Sequence, residues 1–540
     1  MNDDNVSLNN SEPSDELKIL KSRITQLEKL LNVQPSSLDS MSHGSSSKIL
    51  NDEEELEITI GQFWFPKLGV SAFIIGMIFL LTIPFEGIPA IIPVMGGYIL
   101  SLLILGSTYF SQKSFPQLTG YLFGGSASIA YLTTLRLYFF GVDHVLNNLP
   151  IEFLILMFVV SSILIYSLKI KSAYVSALGL LFGYITALII PLPYLSFTAI
   201  LIVSLIAVLI EINNNWQGLL IFSSIIAYTF HITWVINNPF IVSSSSTNSI
   251  NEFHLLFLIG YIVIFSFGVL FRKNNTEEDF LVIVSSMLTP SIGYGAFLVM
   301  SLLNQSNLFG LFHIITASVL MIVAIAFWKK EKSQYSTFIY AMTSYAALSV
   351  AIIFLSQKPD YFIWLCWQSL LVLSTAVWFK SRFIVVANFI IFLLVMFAYL
   401  VLENTLGVEA LSFGIVALLS ARILNFKKEG LELKTELMRN AYLLAALLTI
   451  PYVFYFIIPK FFVGISLIGL ALIYFSFSRI LKIAKYRWMG TITLLIAVIY
   501  LMIYGITSSE VVYKIISFLF AGVVLIITSA VYGKIKLKKN

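Results

Sequence analysis

Seven side chains in this sequence are of types that could do chemistry: Arg136, Asp143, His144, Glu152, His231, His254 and His313. A guanidinium at Arg136 suits an anion such as a lipid phosphate or a carboxylate, and the acids and His144 follow it closely in the chain. Imidazoles titrate near neutral pH, so the histidines suit proton coupling. No His pair sits at i, i+4 and none adjoins a Glu in a metalloprotease pattern, so no metal site and no cofactor are expected. The plainer reading stands beside the functional one. Arg136 snorkels to the outer membrane interface and pairs with one of the nearby acids, Asp143 or Glu152, and each histidine is an interfacial polar group.

Other polar and small residues carry weaker signals. Gly120, Gly124 and Ser128 are spaced four apart, which puts them on one helix face where a second backbone can approach closely. A phosphate cradle would need a preceding strand and an exposed helix start instead. Gln368 reads as an interhelical hydrogen bond, and Glu211, next to Asn213, Asn214 and Asn215, as a solvated connector. Pro290 is a candidate break in its helix, of the kind that marks substrate sites in transporters. Cys366 is the only cysteine, which excludes a disulfide framework and a cysteine-based metal site.

The elements that must position these residues are membrane spans. Of the 540 residues, 58% are hydrophobic and only 11% charged, too few charges to cover a soluble protein. Apolar runs begin near 65, 87, 117, 150, 172, 193, 217, 253, 279, 308, 334, 360, 383, 407, 440, 461, 488 and 512. Each is about 18–24 residues long, which predicts an all-α, polytopic transmembrane bundle of about eighteen spans. The runs are continuous rather than alternating, which favours helices over a β-barrel.

Charge placement supplies an orientation. Of the 33 basic residues, only Arg136, Lys358, Lys460 and Lys514 fall on the side opposite the N-terminus. The positive-inside rule then places both termini in the cytoplasm, and Arg136 becomes the basic residue that lies both on the wrong side and within a span. Trp234, Trp364 and Trp367 fall near expected outer boundaries and the other five tryptophans near inner ones, as aromatic belts require. The net charge of +5 follows this topology and does not point to nucleic acid.

Four regions are expected: a polar N-terminus (1–34), a Ser-rich and acidic linker (35–62), the transmembrane domain (63–533) and a basic cytoplasmic tail (534–540). In the first, Leu17, Leu20, Ile24, Leu27 and Leu31 alternate in steps of three and four, the seam of a short coiled coil. Residues 15–31 could therefore drive self-association or recruit a protein partner, or dock on the protein's own cytoplasmic face. The first sixty or so residues are polar and acidic, with no short apolar run and cleavage site, so no signal peptide is expected among them.

The stretch FWFPKLGVSAFIIGMIFLL (Phe63 to Leu81), the glycines Gly96, Gly97 and Gly106, and LTGYLFGGSASIAYLTTLRLY (Leu118 to Tyr138) resemble the opening of the DUF2339 family of bacterial membrane proteins. The resemblance covers about the first 140 residues. It implies a many-helix protein of the bacterial cytoplasmic membrane with an N-terminal coiled coil, and it transfers no catalytic residues.

Three function classes fit these features, the lipid bilayer being the expected partner in all. The favoured one is transport or flippase-like handling of a lipid-linked or small amphiphilic substrate through an outward-facing polar site made by the seven residues above. The second is a non-catalytic scaffold assembled through the coiled coil. The third is a transferase acting on lipid-linked substrates, which the very short outer loops disfavour. The sequence points away from an enzyme.

Overall fold

The computed structural model describes residues 89–114, 116–139, 144–237, 251–272, 280–304, 308–330, 334–357, 360–403, 407–426 and 436–507, with scattered positions at 68–79 and 512–526. The five coiled-coil residues, Asp143, residues 427–435 and the tail lie outside the described residues.

Among the described residues sixteen α-helices follow one another: α1 (Ile91–Ser114), α2 (Pro116–Arg136), α3 (Leu149–Lys169), α4 (Ala173–Ile189), α5 (Pro193–Asn214), α6 (Gln217–Asn237), α7 (His254–Leu270) and α8 (Phe280–Asn304). Then come α9 (Phe309–Lys330), α10 (Gln334–Leu355), α11 (Asp360–Trp378), α12 (Arg382–Leu402), α13 (Leu411–Phe426), α14 (Glu436–Ile457), α15 (Lys460–Leu481) and α16 (Ala484–Thr507). No strand occurs among the described residues. Each helix begins within about four residues of an apolar run expected from the sequence, the boundary error usual for such patterns. Thirteen are long and apolar enough to cross a membrane. The helices α4 and α7 are apolar but only 17 residues each, or roughly 26 Å at 1.5 Å per residue. The least apolar helix is α2, in which Gly and Ser replace large side chains.

The described chain divides into two compact units, residues 1–152 and 153–540. In the first, α1 and α2 pack closely because small residues face each other. Ser101 Oγ donates to the Ser126 carbonyl at 3.0 Å, and Ser126 Oγ returns a bond to the Ser101 carbonyl at 2.8 Å. Gly97 lies directly against Thr133, leaving no room for a Cβ.

In the second unit most consecutive helices pack closely against each other, though α12 and α13 do not, and alternate helices also touch. The helices α4, α6, α8 and α10 make one row, and α5, α7 and α9 a second row against it. Large apolar side chains cover the outside, among them Leu394 at 63% and Val401 at 78% exposure, a surface that only lipid makes favourable.

Two expectations are corrected here. Pro290 does not break its helix: α8 runs unbroken from Phe280 to Asn304 around it. Only the one bond to the Ser286 carbonyl lacks its N–H, and neighbouring helices support the rest. Glu211 is not solvated but buried at 1% exposure, because the end of α5 is covered by its neighbours and Arg272 lies within electrostatic range. Gln368 behaves as expected, donating to the Tyr345 carbonyl at 2.9 Å and accepting from Ser349 at 3.1 Å, both on α10.

Candidate functional site

The break between α4 and α5 sets the site. Pro191 has no N–H to give the Ala187 carbonyl, so α4 ends at Ile189 and its last carbonyls need other donors. Ser196 Oγ bonds Ala187 O at 2.7 Å, and Trp234 Nε1 of α6 bonds Ile190 O at 3.3 Å. With Pro193 at its first turn, α5 then starts at a fixed angle and lays the Phe197 ring on His231, 4.1 Å between centroids and 26° from parallel.

His231 is fully buried and bonded at both nitrogens. Its Nδ1 lies 3.3 Å from Tyr261 Oη and its Nε2 lies 3.1 Å from His254 Nδ1. His254 and Tyr261 stand seven residues apart on α7, two turns on one face, so both reach the same ring of α6. Bond accounting fixes the direction. Tyr261 Oη donates to the Phe197 carbonyl at 3.2 Å, so it accepts from His231 Nδ1–H. His231 Nε2 is then the acceptor for His254 Nδ1–H. The result is a one-way chain, His254 to His231 to Tyr261 to the backbone of α5, with one proton on each ring in its bonded state.

Hydroxyls continue inward from this chain. Tyr184 bonds Ser204 at 3.0 Å and also Ser223. Tyr228 packs edge-on against Tyr261, 5.9 Å between centroids. Gly293 of α8 makes room for the Tyr228 hydroxyl, since a Cβ there would stand 2.7 Å from it. At the far end of the same helices, Arg272 bonds the Val269 carbonyl at 3.1 Å, Ser285 bonds Gln217 at 3.4 Å, and Lys330 lies 4.2 Å over the Phe271 ring. The cations Arg272 and Lys330 meet the C-terminus of α7, where the helix dipole favours them.

His313 is also fully buried, but its partners are different. Tyr294 Oη is 3.2 Å from Nδ1 and Ser301 Oγ is 3.1 Å from Nε2, both residues lying on α8. Ser301 donates to the Leu298 carbonyl at 2.8 Å, so it accepts from Nε2–H, and Nδ1 accepts from Tyr294. His313 is a clasp between α8 and α9.

The remaining expected residues belong to the first unit. Arg136 closes α2 and is buried at 4% exposure. Glu152 is buried in the first turn of α3, where the helix N-terminus favours an acid, and neither carboxylate oxygen has a hydrogen-bond partner. The two do not bond each other. His144 is exposed and stacks on Tyr138 at 5.5 Å. Gly124 and Ser128 are buried, with Ser128 Oγ bonding the Gly124 carbonyl at 2.8 Å, whereas a Cβ at Gly120 would meet nothing within 4 Å.

Sequence reasoning missed Tyr261, Tyr184 and the burial of Arg272. The heptad step from His254 to Tyr261 is the one signal that pointed to the first. No cluster of three metal-ligating side chains occurs among the described residues.

A helical, multi-pass membrane bundle with a histidine–tyrosine chain in its interior is the class these features define. Comparison with protein-family models, with curated proteins and with solved structures returns no match.

Proposed function

We propose that this protein is a proton-linked membrane transport protein whose working element is the His254–His231–Tyr261 chain. The observation that carries the reading is the 3.1 Å contact between two buried imidazoles inside an apolar bundle. Ionisable side chains are costly in hydrocarbon and persist there mainly in ion pathways and proton relays. The pair can take one further proton without losing its bond, because His254 Nδ1–H still donates to His231 Nε2 once the second nitrogen of His254 is protonated. A second one would set N–H against N–H and force α6 from α7. The groups facing the pair are Tyr261 on its own helix pair, the Phe197 carbonyl and ring of α5, and Trp234 beyond them. A lipid-linked or small amphiphilic substrate fits the apolar surroundings.

The reading includes a membrane topology of about eighteen spans with both termini cytoplasmic, a bacterial cytoplasmic membrane, and kinship with the DUF2339 proteins. Residues 15–31 would serve self-association. The test needs no known substrate. In vesicles containing the purified chain, a sudden pH step should drive a transient charge movement, and His231→Gln should reduce it at least tenfold with folding unchanged. Equal charge movement in the variant and the parent would contradict the proposal.

A further inference from the structure

The helices α3, α4 and α5 do not close on one another. They leave a cavity of about 270 Å³ walled by Phe153, Met157, Val160, Gly183, Ala199 and Val203, with almost no polar surface. Along α3 and α5 it continues, across Ser161, Leu164 and Ile206, into a second and wider space of about 500 Å³. That space ends at the carboxamides of Asn213 and Asn214, opposite Leu168. The next residues of the α3 end are Lys169 and, beyond one residue, Lys171. The two spaces share Ser161, Leu164 and Ile206, so one groove runs from a nearly apolar floor to a polar mouth at Asn213 and Asn214, with the exposed Lys169 next in sequence to Leu168.

We infer that this groove seats one anionic phospholipid, an acyl chain along the apolar part and the headgroup at Asn213, Asn214 and Lys169. Three physical arguments select this occupant. Water is not held in an apolar space that offers it no partners. The α3 and α5 faces beside the groove, with Phe158 73% and Ile202 51% exposed, are bathed by bilayer, which supplies acyl chains at high concentration. At the mouth, Asn213 and Asn214, the latter giving one amide bond to the Ile210 carbonyl at 2.9 Å, stand at the end of α5 while the exposed Lys169 follows Leu168 at the end of α3. Amide with lysine charge complements a phosphodiester at the membrane surface. Gly183 and Ala199 keep the floor open, since each lines it with almost no side chain.

The groove is independent of the histidine chain and can be tested separately. Native mass spectrometry of the full chain, released from detergent containing phosphatidylglycerol, should show one bound phospholipid. Ala199→Phe fills the floor and should lower that occupancy at least tenfold while the melting temperature holds. As a check that needs no variant, phosphatidylglycerol with a photoreactive acyl chain should label residues 153–164 and 195–206 above all other peptides. Unchanged occupancy in a folded Ala199→Phe protein, retention of free fatty acid only, or labelling spread evenly over the lipid-facing helices would each overturn the inference.

Discussion

Tyr261 and Tyr228 are both buried on adjoining helices, yet their hydroxyls stand in opposite situations. Tyr261 Oη accepts from His231 and donates to the Phe197 carbonyl, whereas Tyr228 Oη has no hydrogen-bond partner. Removing the Tyr261 hydroxyl orphans the buried His231 Nδ1–H, which costs about 1–3 kcal/mol, while the Phe197 carbonyl keeps its bond within α5. Removing that of Tyr228 relieves an unsatisfied group and should be neutral or stabilising. Thermal melting of Tyr261→Phe and Tyr228→Phe in detergent should therefore separate the two variants, with the first clearly lower. Equal melting temperatures would show that the histidine chain is not formed. The histidines were legible in the sequence as a class, because their types and their positions at span ends stand out. The pairing of His231 with His254 was not, since they stand 23 positions apart across a connector and neither helix alone fixes which face it turns inward. Glu211 was misread for a related reason. A carboxylate at a helix end is normally solvated, and nothing local announces that Arg272, just past the end of α7, shares its burial.

At the level of elements, the connectors show why these helices end where they do. Among the described residues, four other than glycine adopt positive φ: Lys171, Asn215, Lys380 and Lys482. Each terminates a helix at a tight turn, and two complete a Schellman motif. Lys171 N–H bonds Leu168 O while Ser172 N–H bonds Ser167 O, and Lys380 with Ser381 repeats this on Val377 and Ala376. Glycine would take this conformation without strain, so lysine is present at a conformational cost. Its positive charge compensates, meeting the carbonyl end of the helix and serving the charge asymmetry that orients the chain. Lys380→Gly should accordingly raise stability by about 0.5–1 kcal/mol in a denaturation series, the difference between a strained and an unstrained left-handed residue. A clear loss of stability would mean that the charge outweighs the strain. Element starts were legible almost throughout, since apolar length and proline placement are local properties. The pairing of alternate helices into two rows was not, because it depends on which of several similar apolar faces meet.

For the whole molecule, composition alone pointed to lipid, and the exposed Leu, Ile and Phe of the bundle surface agree. Among the described residues thirteen helices meet the length and apolarity that a crossing requires, and the shorter apolar α4 and α7, which carry Tyr184 and the His254–Tyr261 face and are not of that number, pack against them. The account therefore stands on these helices traversing the bilayer, with the histidine chain at the end where α6 stops and α7 begins. The single native cysteine, Cys366, is fully buried and gives a nearly silent background for thiol labelling. Leu192 and Asn215 flank α5, one in each connector, and both are exposed. In intact cells, a membrane-impermeant maleimide should modify Leu192→Cys from outside and leave Asn215→Cys untouched until the membrane is opened. Labelling of both positions from the same side would mean that α5 does not cross the membrane, and would contradict the account at its base.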